Sequence, residues 1–179
     1  MRKLLASLFI GVGIVAFAGC GSSNPGAHDP THEGKGTSSA ERIEHKGARV
    51  AITVPKGWKT KQDGEVLTVM DQNEDVAAAF TVVEESALGQ ASQNVGKSLG
   101  EKIQNLKFGK EEKIDINGMK GIAIDGDGQM SGVDVDLMVV VLDTPVEGKA
   151  MMILAIAEDA KLARHKDELK FLFSNITPL

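Results

Sequence analysis

The 179-residue sequence has a single cysteine, Cys20, a single tryptophan, Trp58, and no tyrosine. One thiol excludes an internal disulfide and any multi-cysteine metal site. Six Phe are the only other aromatics, so the core must come mainly from Val, Ile, Leu, Ala and Met. A basic excess is also missing: 20 Lys and Arg stand against 25 Asp and Glu, for a net charge of −5. That balance excludes a nucleic-acid partner, whose phosphates require clustered Lys and Arg. It equally excludes adhesion to anionic lipid by charge alone. The length suits one globular domain plus something extra, not two full domains.

What is present begins with a three-part amino terminus. Arg2 and Lys3 form a positive start, and Leu4 to Phe17 is apolar apart from Ser7, Gly11 and Gly13. Ala18-Gly19-Cys20 then closes the segment with small residues. The run is short for ~30 Å of hydrocarbon but has the length of an export signal. The alternatives are an ordinary secretory signal with an incidental cysteine, or an uncleaved anchor. Phe17-Ala18-Gly19-Cys20 resembles the lipobox of bacterial lipoproteins, with Phe17 in place of the usual Leu. The resemblance implies a signal peptide over 1–19 and a diacylglycerol, with further acylation such as palmitate, on Cys20. It also implies attachment to a membrane on its extracytoplasmic side. Gly21 replaces the Asp that often retains Gram-negative lipoproteins in the inner membrane, which implies the periplasmic face of the outer membrane in a two-membrane cell. Without Arg2 and Lys3 the mature chain carries 18 basic and 25 acidic residues, a net charge of −7.

Residues 20–40 hold the lipid-bearing Cys20 and a Gly-, Ser-, Thr- and Pro-rich stretch without apolar periodicity, which reads as a flexible tether. His28 and His32 have metal-ligand spacing, but Pro30 between them breaks the helix that spacing needs.

Residues 41–179 read as one α+β domain. Val50, Ile52 and Val54 alternate with Ala51 and Thr53, predicting a strand. Val66–Met70 and Val76–Val83 predict two more, joined by the polar turn Asp71–Asp75. Leu88, Ala91, Val95, Leu99, Ile103 and Leu106 form a helical stripe. Strands are expected near Lys107–Ile116, Met119–Asp125, Val133–Leu142 and Lys149–Ala157, with Asn117-Gly118 as a two-residue hairpin turn. A closing helix is expected to start near Glu158-Asp159, with Leu162, Leu169, Leu172, Phe173 and Ile176 as its apolar stripe. The order predicts an antiparallel sheet of about six to eight strands flanked by two main helices.

Val54-Pro55-Lys56-Gly57-Trp58 resembles the "P-x-G-W" turn after the first strand of PsbP-like and Mog-type domains. The Gly118-to-Gly121 stretch, its long hairpin and the terminal Ser174-Asn175-Ile176 are similar to the rest of that pattern. The resemblance spans roughly 41–179. It implies an α/β/α sandwich and a non-enzymatic role, since members assist photosystem assembly, bind the Ran GTPase or occur as envelope lipoproteins.

The most suggestive cluster is Asp125, Asp127, Asp134 and Asp136. If residue 127 pairs with 134 and 125 with 136, four carboxylates share one face, and Ca²⁺ would relieve their repulsion. The alternative is a solvated hairpin whose charges discourage edge aggregation. Asp71, Asn73 and Asp75 open like an EF-hand loop, but Val76 and Val82 stand where its Gly and Glu belong; a polar turn is the better reading. Ser131 lies outside any nucleophile-elbow pattern. His165 reads as a helix-boundary residue, and Met138, Met151 and Met152 as core fillers rather than copper ligands. Trp58 is either an exposed partner anchor or, the simpler alternative, packed beside its turn.

These features favour a membrane-anchored, non-enzymatic module that binds or assists the assembly of an envelope protein, with no cofactor. Two other readings are an enzyme built on the aspartate cluster and a small-ligand carrier. An enzyme needs a pocket where carboxylates meet a base or metal; a carrier needs an apolar cavity between sheet and helix.

Overall fold

The computed structural model describes residues 40–83, 97 and 99–179. Cys20, the tether with His28 and His32, and most of the expected Leu88–Leu106 helix lie outside them. No described helix is long and apolar enough to cross a membrane.

Among the described residues, eleven strands form two sheets. Strands β1 (Glu41–His45), β2 (Val50–Val54) and β11 (Ile176–Pro178) make a small sheet in the order β1-β2-β11. The large sheet contains β3 (Lys59–Asp63), β4 (Val66–Met70), β5 (Val76–Val83), β6 (Gln104–Phe108), β7 (Glu112–Ile116), β8 (Met119–Met130), β9 (Val133–Asp143) and β10 (Ala150–Glu158). Its order is β3-β4-β5-β10-β9-β8-β6, and β7 also pairs with β8, so β6 and β7 share one edge. All pairings are antiparallel. Two short helices, α1 (Lys161–Arg164) and α2 (Lys166–Ser174), precede β11. The expected α+β class and antiparallel sheet are what the chain forms.

Alternation sorts the large sheet's side chains between two cores. From β10, Met151, Ile153, Ala155 and Ala157 face the small sheet and α2, meeting Val50, Ile52, Val54, Trp58, Leu169 and Leu172. From β9, Val135, Leu137, Val139 and Val141 face the other way and pack with Leu99 and Ile103. Met151 and Met152 therefore lie on opposite faces and share no site. The near-continuous apolar runs of β9 and β10 follow from burial on both faces.

Several boundaries differ from expectation. Leu99 and Gly100 are helical, but the backbone turns at Asn105 (φ 54°) and Gln104–Phe108 is a strand, so Leu106 is not on the helix. The single strand expected over Lys107–Ile116 is two, β6 and β7, broken at Gly109, whose N–H donates to the Asp125 carbonyl. Glu158 ends β10 instead of starting a helix, and Ala160 in the left-handed region (φ 61°) separates it from α1. Ile176 belongs to β11, pairing with Ile52, not to the helical stripe. Strands β1 and β3 carry few apolar residues because they are edges; alternation had little to show there.

Candidate functional site

A groove of about 710 Å³ lies between α2 and the β7–β8–β9 part of the large sheet. Its floor comes from three strands in register. Ile114 pairs with Gly121 and Ile116 with Met119, while Ala123 pairs with Val140 and Asp125 with Met138. Partners across antiparallel strands point to the same side, so Ile114, Ile116, Ala123, Met138 and Val140 form one apolar surface. Farther along the same face the residues become acidic: Asp125 and Asp127 on β8, Asp136 and Asp134 on β9. The helix supplies the other wall. Lys166, Leu169, Lys170 and Phe173 follow three- and four-residue steps, which places two ammonium groups on the face that also carries the apolar contacts.

Two hydrogen-bonded ties hold the walls in place. Asn117 and Gly118 form the β7–β8 turn with φ 52° and 85°, as expected for a two-residue hairpin. The Asn117 Nδ2 donates to the carbonyls of Ser174 (2.9 Å) and Ile176 (2.6 Å), fixing the hairpin to the end of α2. At the other end, the Ala160 N–H donates to Asp136 Oδ2 at 3.1 Å, setting the start of α1 beside β9. Both signs of charge therefore line the opening, Lys166 and Lys170 from the helix and Asp115, Asp125 and Asp136 from the strands. Among the described residues no ion pair joins them.

The aspartate hairpin adopts a register offset from the expected one. Ser131 and Gly132 make its turn (φ 53° and 80°), so 127 pairs with 136, 129 with 134 and 125 with 138. Asp127 and Asp136 are therefore the only directly opposed carboxylates of the four. Asp134 accepts from Gln129 Nε2 at 2.8 Å. The four carboxylates still share one face, but the offset spreads them along it: no three of them bring ligand atoms within 4.8 Å of one another. Ser131 is an exposed turn residue, and the two described histidines, His45 and His165, are engaged elsewhere. His45, buried, has Nε2 2.7 Å from the Glu65 carbonyl oxygen and a buried Nδ1 without a partner. His165 pairs with Glu168, the satisfied boundary residue the sequence suggests.

Trp58 is 7% exposed and meets the His165 ring edge-on at 6.3 Å, so it is packed and not an exposed anchor. Beside it the Asp71–Asp75 segment is a polar turn, as expected. The buried Asp71 carboxylate accepts the N–H groups of Asn73 (2.9 Å), Asp75 (2.6 Å) and Val76 (2.9 Å). Asp71, Asp75 and His165 are the one described group of three with ligand atoms within 4.8 Å. A lysine ammonium already serves that place: Lys161 Nζ lies 2.7 Å from Asp75 and 2.9 Å from Glu158. The hydrogen bond from Lys161 lowers the Asp75 pKa, and those to Asp75 and Glu158 raise that of Lys161. This knot ties the β4–β5 turn to α1.

Sequence reasoning missed the groove and its lysine lip, although it singled out Asp125 and Asp136 of the acidic one. The signal available was two lysines four apart within the apolar stripe of the last helix; the second role of Asn117 had none, because its acceptors lie 57 and 59 residues away.

The sequence matches no protein-family model and no curated protein. Solved structures do match. Cyanobacterial PsbP (CyanoP) from Synechocystis sp. PCC 6803 aligns with a TM-score of 0.59 at 13% identity, covering 82% of this chain and 96% of that one. LpqN, involved in cell envelope biogenesis of Mycobacterium tuberculosis, aligns with 0.58 at 10% identity over 78% and 90%. The Ran-binding protein Mog1p of Saccharomyces cerevisiae aligns with 0.55 at 12% identity over 78% and 95%. The chain therefore has the PsbP-like α+β fold that the turn around Trp58 suggests.

Proposed function

We propose that this chain is a lipid-anchored, extracytoplasmic binding module that works through the α2 groove and not by catalysis. The observation that carries the reading is the groove itself. It has apolar walls and charged lips, the composition of a surface that holds a ligand or partner. The envelope role of LpqN and the Ran binding of Mog1p support a binding role for the shared fold. The anchor rests on the lipobox-like Phe17–Cys20 segment, and the tether would let the groove work away from the bilayer.

Two measurements test this. Cys20→Ser should release the protein from the membrane fraction; retention there with unchanged mass defeats the anchor. Photoreactive side chains at 138 or 162 should cross-link to an envelope component, and one at 107, on the β6 edge, should not. Equal capture from both places, or none from the groove, defeats the groove as the working surface.

A further inference from the structure

Resting on the groove as the binding surface, we propose that its occupant is a single-chain zwitterionic amphiphile of the lysophospholipid type. The aliphatic chain lies along the groove floor, a phosphate meets Lys166 and Lys170, and an ammonium group meets Asp125 and Asp136.

The apolar part follows from where the core is incomplete. Of the seven partly buried hydrophobic residues packed against the core shared with the small sheet, Ile114, Ile116, Ala123, Met138 and Leu162 all line this groove. Their exposure is collected in one channel rather than scattered, and a channel with such walls favours an apolar occupant over water. A volume of about 710 Å³ falls in the range of small-molecule sites, about 300–1,000 Å³.

The head group follows from charge. Lys166 and Lys170 are exposed and make no ion pair among the described residues, and Asp125 likewise makes none. The hydrogen bonds from Asn117 and to Asp136 fix the two walls to each other, and among the described residues no ion pair joins the lysines to the aspartates. A purely anionic head would satisfy the lysines and be repelled by Asp125 and Asp136; a purely cationic head would meet the reverse. A head carrying both signs satisfies both lips.

The test uses the full chain in membranes and three photoreactive probes with the same acyl chain: lysophosphatidylethanolamine, the phosphate monoester without the amine, and the trimethylammonium analogue. The zwitterionic probe should label residues of the groove, and about tenfold more strongly than either single-sign probe, the ratio expected for one lost charged contact. The double variant Lys166→Glu/Lys170→Glu should abolish that preference while leaving the melting temperature unchanged, both side chains being exposed. Equal labelling by all three heads, labelling outside the groove, or indifference to the double variant overturns the ligand class. If the side chains at 138 or 162 still capture an envelope component, the groove reading survives that failure; if they do not, both fall.

Discussion

The face of the large sheet that meets α2 has two halves built from similar strands and finished differently. Over β4, β5 and β10 the small sheet closes the surface. His45 reaches the Glu65 carbonyl, Gly47 lies against Glu65 and Val82, and Leu67, Val69, Ala78, Phe80 and Ile153 are buried. Over β7, β8 and β9, among the described residues, the short helices α1 and α2 approach without a covering sheet, and Ile114, Ile116, Ala123 and Met138 stay partly exposed. Val, Ile, Ala and Met occur in both halves. The difference lies in what covers them, and it shows that strand composition sets how much apolar surface exists but not how much of it is closed.

The sharpest way to break the comparison is to truncate one side chain in each half. Phe80→Ala removes a fully buried ring and should destabilise by about 3–5 kcal/mol, whereas Met138→Ala in the open half should lose about 1 kcal/mol. Chemical denaturation of both variants reads the contrast; equal losses would mean that the open half is as tightly closed as the covered one.

Asn117 offers a smaller test, since it anchors the open half to the end of α2. Asn117→Ala forfeits two hydrogen bonds and forces alanine to φ 52°, a loss of about 2 kcal/mol; Asn117→Gly keeps the backbone and should lose about 1 kcal/mol. If Asn117→Gly is as stable as the native protein, the side-chain tie carries nothing; if the two variants are equally stable, the positive φ costs alanine nothing.

The smallest effect belongs to the Lys161 knot over the covered half. Both partners are partly exposed, so Lys161→Met should lose about 1 kcal/mol or less. Its pH dependence has a defined sign. The Asp75 pKa is lowered from its ordinary value of 3.8, so its contribution is present above that value and lost as pH falls through the folded-state pKa. The Lys161 pKa is raised from 10.5, so its contribution is present below that value and lost as pH rises through the folded-state pKa. The difference in melting temperature between native and variant protein should be flat from about pH 5 to 9 and shrink outside it. A difference that does not change with pH would show that the ion pair is not its source.

Much of the fold was legible beforehand because its signals are local. The alternation of Val50–Val54, the Asn117-Gly118 turn and the apolar stripe around Leu169 and Leu172 each depend on residues a few positions apart. The polar edge strands β1 and β3 were hidden because exposed edges need no apolar alternation. The aspartate register was misplaced because the turn falls at Ser131-Gly132: once two residues close the hairpin, every pair shifts together. Lys166 and Lys170 showed their spacing, but nothing in that spacing says what they face.

By itself, then, the amino-acid sequence determined the α+β class, the acidic balance and the Asn117-Gly118 turn between β7 and β8. These follow from periodicity, charge and backbone preference, which act over a few residues. Only the tertiary structure decided that Trp58 is packed, that Asp127 faces Asp136, and that α2 stands off β7–β9 with lysines and aspartates lining one opening. Each of those depends on strands and helices distant in the chain meeting at a fixed offset, and the offset is set by packing and hydrogen bonds that no short segment contains.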